Sequence, residues 1–132
     1  MYGQVLCLPK NMQKIIVIML YDLSALKKLS DNDENFIIDM LQTFKRTSPP
    51  ILERMEEYVS QQKYEAVGRE AHKMIPGVSF LGARQLQDIL VSIEERAKKG
   101  EALESMSSLV SEAVKKTFEL IACFENDFPG KV

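Results

Sequence analysis

The chain has 132 residues with 17 basic and 19 acidic side chains, so its net charge is −2 and it lacks the basic excess of a general nucleic-acid binder. With 45% hydrophobic residues it is too apolar for a disordered tail, and its length fits one domain with a single core. The longest apolar run, residues 15–21, is too short for a bilayer span, and the start lacks the order of a signal peptide. We therefore expect no membrane contact and a cytoplasmic location.

Histidine and cysteine usage narrows the possible chemistry. The sequence contains one histidine, His72, and two distant cysteines, Cys7 and Cys123. A helical zinc motif needs two histidines four residues apart, and a cysteine site needs closely spaced cysteines, so we expect a reduced chain without a metal site. Any chemistry that requires an imidazole must use His72.

From residue 22 onward, apolar residues recur every three or four positions, which predicts helices and no strands. In chain order, the apolar stripes run from Leu23 to Leu29, from Phe36 to Phe44, from Ile51 to Val59, from Tyr64 to Leu81, from Leu86 to Ala97 and from Leu103 to Phe124. Ser48-Pro49-Pro50 predicts a restart with a serine N-cap, unless the pair is a kink within one helix. Glycines 82 and 100 are predicted helix ends. The pattern predicts an all-α, antiparallel up-down four-helix bundle over residues 22–132, with a short extra N-terminal helix.

Residues 1–21 follow a different pattern. A strand-like run, residues 4–8, precedes a break at residues 9–11 and a possible helix over residues 12–20. Leu8-Pro9-Lys10 before a helix is similar to the end of a receiver domain, although Asn11 stands where that family has proline. The alternative is an N-terminal extension whose apolar residues pack against one end of the bundle.

The helix that carries His72 contains residues of low helix propensity close to the histidine. His72 lies about 100° around the helix from the core stripe, so it is predicted to project toward solvent. Gly68 and Pro76, one turn before and one turn after it, are poor helix formers, and such conflicts tend to mark functional sites. We expect a kinked but continuous helix; the alternative is a helix that ends near Ile75 and restarts around Gly77.

Three segments resemble the histidine-containing phosphotransfer (HPt) family over residues 22–125. They are Ala71-His72-Lys73-Met74, Leu81-Gly82-Ala83 with Leu86, and Ile93-Glu94-x-x-Ala97-x-x-Gly100. The resemblance implies that His72 accepts a phosphoryl group from a receiver aspartyl phosphate or a kinase and passes it on. The implied partners are response-regulator receiver domains, including that of a hybrid sensor histidine kinase. No cofactor is expected in this chain, Mg²⁺ is expected only in the partner receiver, and the chain is expected to be a monomer.

The sequence departs from the family pattern next to the histidine. The family usually has lysine three residues and glycine four residues after it, where this chain has Ile75 and Pro76. That lysine is thought to hold phosphoryl charge, so we expect Arg69 and Lys73 to do so here, with Arg69 favoured by helical geometry. The predicted docking residues around His72 are Gly68, Ile75, Pro76 and Ser79, with Leu23 and Leu26 from the first helix.

Two other functions stay open at this point. The chain has no glycine-rich phosphate loop, so we expect a carrier without autonomous kinase activity. One alternative is an interaction module that docks receivers without accepting phosphate. The other is an unrelated structural bundle, which a buried His72 would favour. The charged residues after Ile93 are expected on the solvated helix surface; they are Glu94, Glu95, Arg96, Lys98 and Lys99.

Overall fold

The computed structural model describes residues 20–132, and within that range the chain is helical with no strand. The helices are α1 (Ser24–Leu29), α2 (Glu34–Ser60), α3 (Tyr64–Phe80), α4 (Arg84–Lys99) and α5 (Met106–Asp127), with a 3₁₀ turn at Leu103–Ser105. The predictions of a receiver tail or a packed helix concern residues that lie almost entirely outside the described range. No helix within residues 20–132 is long and apolar enough to span a membrane.

The four long helices form a ring. In chain order α2 packs on α3, α3 on α4 and α4 on α5, and α5 closes the ring against α2. The apolar stripes of all four point into one core, whose largest fully buried side chains include Leu41, Met55, Leu90, Met106 and Phe124. The predicted helical bundle with a short extra helix is confirmed.

One helix boundary prediction is wrong. Helix α2 runs unbroken through Pro49 and Pro50, so no separate helix begins at Ser48, whose side chain is buried. The prolines remove two backbone N–H donors, but residues before and after them, Leu41 and Leu52, are buried in the same core. Packing on both sides holds the helix together, which local turn chemistry does not reveal.

The turn between α3 and α4 anchors α1. Gly82 has φ +64°, and a Cβ atom there would lie 2.2 Å from the Asp22 carbonyl oxygen. The Asp22 N–H donates to the Leu81 carbonyl at 3.0 Å. Only glycine permits both the left-handed backbone and this close approach, so Gly82 holds the start of α1 against the end of α3. The predicted stop at Gly100, which ends α4 with φ +66°, is also confirmed.

Leu20 and Tyr21 belong to the core, although the predicted boundary placed them in the extension. Both are buried, and the Tyr21 ring packs edge-on against Phe124 with centroids 4.8 Å apart. The Tyr21 hydroxyl donates to an Asp127 carboxylate oxygen. Burial, with the Asp127 carboxylate, raises the pKa of Tyr21 well above its usual value. The bundle therefore extends at least to residue 20.

Candidate functional site

His72 projects from the middle of α3 into solvent. Its side chain is 69% exposed, whereas Ala71 and Met74 on either side of it are buried in the core. Helix α3 continues through Pro76, so the prediction of a continuous helix is confirmed and the alternative end near Ile75 is wrong. The exposed ring gives the unrelated structural bundle none of the support that a buried His72 would have given it.

The imidazole is held in place by a carboxylate from the next helix. Nδ1 of His72 is hydrogen-bonded to Oε2 of Glu94 on α4, and the Glu94 side chain is only 17% exposed. A carboxylate only accepts hydrogen bonds, so Nδ1 carries the hydrogen and, in the neutral imidazole, Nε2 carries the lone pair. No other hydrogen bond to this ring occurs within residues 20–132. The site therefore leaves Nε2 as the ring nitrogen without a hydrogen bond to any described residue.

The prediction that Glu94 lies on the solvated surface is therefore wrong, whereas its neighbour Glu95 is exposed. The contact joins residues 22 positions apart on different helices, which the spacing within either helix does not reveal. The signal that could have found it was the Ile93-Glu94 pair in the segment that resembles the family. Arg96 is only half exposed: its guanidinium donates from Nε to Ser92 at 3.2 Å and contacts Ser105, so it joins α4 to the following turn.

A surface cleft of about 660 Å³, formed by residues of α3 and α4, lies beside the histidine. It is lined by Glu65, Gly68, Arg69, His72, Lys73, Glu94, Ala97 and Lys98. Gly68 is buried, and a Cβ atom at its position would lie 2.6 Å from the Ala97 Cβ. The expectation of Gly68 on an exposed docking face is therefore wrong: it is a place where the two helices approach each other closely.

The two cations predicted to hold phosphoryl charge differ in their surroundings. Nζ of Lys73 pairs with Oε2 of Glu70 at 2.9 Å, and Nε of Arg54 donates to the other oxygen of Glu70 at 2.7 Å. Burial opposes ionisation of Glu70, but the hydrogen bonds to Arg54 and Lys73 outweigh it and lower its pKa. Lys73 is thus engaged beside the cleft, whereas Arg69 is exposed and makes no ion pair with any described residue.

Only part of the predicted docking face is exposed. Pro76 and Ser79 are exposed and Ile75 is half-buried against the core. Leu23 and Leu26 are 7% and 0% exposed, so the prediction that they contribute to this face is wrong. Helix α1 is short and buries Leu26 in the bundle, whereas Leu29 at its end is 65% exposed. Phe80, which the prediction missed, is 45% exposed near the end of α3 and extends the face that starts at Pro76.

The described side chains form no cluster of possible metal ligands. Within residues 20–132, no three histidine, cysteine, aspartate or glutamate side chains come together in a group that could hold a metal ion. Cys123, in α5, is buried with a free thiol, far along the chain from the histidine helix.

Comparison with known proteins agrees with this geometry. The family model of the Hpt domain matches residues 39–123, which is more than half of the chain and includes His72, Glu94 and Lys98. Neither a curated protein nor a solved structure gives a significant match. With its bundle of helices and an exposed histidine on the third of them, the chain belongs to the Hpt domain family, whose members transfer phosphoryl groups in phosphorelays.

Proposed function

We propose that this protein is a phosphorelay carrier whose reactive atom is Nε2 of His72. It accepts a phosphoryl group from the aspartyl phosphate of one receiver domain and passes it to another. The observation that carries the proposal is the exposed imidazole whose Nδ1 is held by Glu94. This arrangement supplies a correctly oriented lone pair on a rigid helix, and phosphoryl transfer depends mainly on such positioning.

The proposed transfer is a displacement at phosphorus. The Nε2 lone pair attacks the phosphorus of the receiver's aspartyl phosphate, an N–P bond forms, and the P–O bond to the aspartate carboxylate breaks with its electron pair. The ring is now a cation whose Nδ1–H still donates to Glu94, which stabilises the positive charge. Onward transfer reverses these changes when the carboxylate of the next receiver attacks the phosphorus.

Phosphoryl transfer also requires cationic side chains that stabilise the negative charge of the phosphoryl group. Arg69 lies one turn before His72, lines the cleft and is not engaged by a described acidic group, so we assign it to the phosphoryl oxygens. Lys73, the other predicted cation, would have to leave its 2.9 Å contact with Glu70 and is the weaker candidate. The partner receiver would supply the acceptor aspartate and Mg²⁺.

The proposed partners are receiver domains, one of them in a hybrid sensor histidine kinase. They would dock on the exposed face formed by Pro76, Ser79 and Phe80, next to the half-buried Ile75. We further propose that the four long helices alternate in direction as an up-down antiparallel bundle. The carrier would work as a monomer in the cytoplasm, without kinase activity of its own.

The direct test is phosphorylation of the purified chain. Phosphoramidate is a small donor whose P–N bond breaks with release of ammonia, so it needs no cognate partner. We expect an acid-labile, alkali-stable label on wild type and none on His72→Gln, with identical circular dichroism spectra because the ring is outside the core. Label retained by the folded variant would overturn the assignment.

Glu94 is tested by the rate of the same reaction. Glu94→Ala removes the acceptor of the Nδ1 hydrogen bond, and the loss of a hydrogen bond to a charged group at a half-exposed site corresponds to about a ten-fold slower phosphorylation. Glu95→Ala, an exposed neighbour on the same helix, is the matched control and should react like wild type. Equal rates for the two variants would show that Glu94 does not orient the ring.

The docking-only alternative has less support. The family match covers His72 and implies phosphotransfer, and the substitutions at Ile75 and Pro76 leave Nε2 exposed. Failure of wild type to accept phosphate from phosphoramidate and from a phosphorylated receiver, while still binding the receiver, would favour that alternative.

A further inference from the structure

Among the described residues, three cationic side chains line the cleft beside His72, and they differ in how firmly they are paired with acidic groups. Lys73 is paired with buried Glu70 at 2.9 Å, and Arg69 extends from the same helix as the histidine. The third, Lys98, comes from α4, and its side chain is 73% exposed. No motif of the sequence singled it out, because it stands in an ordinary basic last turn of a helix.

Lys98 and His72 share one carboxylate oxygen. Oε2 of Glu94 is hydrogen-bonded to Nδ1 of His72 and lies 4.0 Å from Nζ of Lys98. One hydrogen bond and one ion-pair contact therefore connect the ammonium group to the imidazole ring. At 4.0 Å the ammonium is too distant for a hydrogen bond to that oxygen, so it has no strong partner to give up within residues 20–132.

A phosphoryl group on Nε2 would bring about two negative charges to this end of the cleft. On α3, the position three residues after the histidine is Ile75, which is packed against the core and provides no charge. The flexible four-carbon stem of lysine lets Nζ move by several ångströms at little cost, since its present contact is long and exposed.

We propose that Lys98 is a phosphoryl-binding residue of this protein, so that the neighbouring helix α4 provides both the carboxylate that orients His72 and the ammonium that neutralises its phosphoryl group. This inference rests on the proposed phosphorylation of His72. In the unmodified protein Lys98 remains near Glu94; in the phosphorylated protein its ammonium contacts the phosphoryl oxygens, together with the guanidinium of Arg69.

The experiment compares three variants during phosphorylation by phosphoramidate. Lys98→Met keeps the length of the stem without the charge, Lys98→Arg keeps the charge, and Lys99→Met removes an exposed charge one residue on that does not line the cleft. The ratio of phosphorylated to unmodified protein at steady state is measured by ³¹P NMR. A second measurement follows the side-chain ¹⁵N resonance of Lys98 during phosphorylation of the wild-type chain.

We expect Lys98→Met to lower the ratio by about two- to five-fold, the size of an exposed ion pair. Lys98→Arg should restore it, Lys99→Met should match wild type, and the Lys98 resonance should move when His72 is phosphorylated. Equal ratios for Lys98→Met and Lys99→Met, or an unmoved resonance, would overturn the inference while leaving the proposed function in place. Absence of any label on wild type would overturn the proposed function itself, and this inference with it.

Discussion

The close contact between Gly68 and Ala97 makes a specific prediction for stability. A methyl group at position 68 would lie 2.6 Å from the Ala97 Cβ, whereas ordinary contacts begin near 3.4 Å, so Gly68→Ala must push α3 and α4 apart by about 0.8 Å. Overpacking of this kind costs about 1–3 kcal/mol, and the better helix propensity of alanine offsets about 1 kcal/mol of it. The expected net loss is up to about 2 kcal/mol.

Gly77 is the matched control because it lies in the same helix, and a Cβ atom at its position would have no neighbouring atom within 4 Å. Gly77→Ala should therefore stabilise the protein by about 0.4–1 kcal/mol. Urea unfolding followed by circular dichroism measures both variants. If Gly68→Ala proves as stable as Gly77→Ala, the helices tolerate the methyl group and the argument from close packing is wrong.

A methyl exchange between the helices extends this test to the site. The double variant Gly68→Ala with Ala97→Gly moves the methyl group from α4 to α3, so the clash disappears and stability should return close to wild type. Gly68 lies one turn before His72 and Ala97 nearly one turn after Glu94. Separation of the helices should thus weaken the His72–Glu94 hydrogen bond, so phosphorylation by phosphoramidate should slow in Gly68→Ala and recover in the double variant.

Three further outcomes are expected. Ile75→Lys adds a cation one turn after His72, so it should raise the steady-state ratio of phosphorylated to unmodified protein, measured by ³¹P NMR, about two- to five-fold. Some loss of stability is expected because Ile75 packs against the core. An unchanged ratio would contradict this prediction. The pKa of Glu70 in the folded state lies below its usual 4.5. The ionised Glu70 side chain therefore contributes fully to the free energy of unfolding above pH 4.5, and this contribution is lost as the pH falls through the pKa of the folded state. Urea unfolding at pH 7 and pH 3 should show a smaller loss for Glu70→Gln than for wild type, and an equal loss would refute this. Burial raises the pKa of the Cys123 thiol to about 11, so a disulfide reagent at pH 8 should label it far more slowly in the native state than in urea; equal rates would contradict its burial.

Much of the fold is readable from the sequence because helical periodicity is a local property of the chain. The apolar stripes predict which face of each helix is buried, and glycines 82 and 100 predict two of the turns. The predicted helix restart at Ser48 is wrong for a physical reason. A proline disturbs only its own turn of the helix, whereas Leu41 before the prolines and Leu52 after them pack into the same core. Tertiary packing overrides the local signal.

The site is readable only in part, for a similar reason. The exposure of His72 follows from its angle to the core stripe, which is a property of one helix. The partner of its Nδ1, the burial of Gly68 and the proximity of Lys98 depend on how α3 meets α4, and spacing within one helix contains no such information. The burial of Leu23 and Leu26 likewise depends on where α1 docks.

The contact between α3 and α4 explains why several separate sequence features belong together. A side chain at position 68 would meet the Ala97 Cβ and push α4 away, which should weaken the contact between Glu94 and Nδ1 of His72. The Ala97 Cβ is the atom that a side chain at position 68 would meet, so both positions carry small residues where the helices approach each other. The glycine and alanine therefore set the distance across which the carboxylate acts. The glycine one turn before His72 is then explained by the distance between the helices and requires no local flexibility. Its cost in helix propensity, about 1 kcal/mol, is offset by the close packing that it permits.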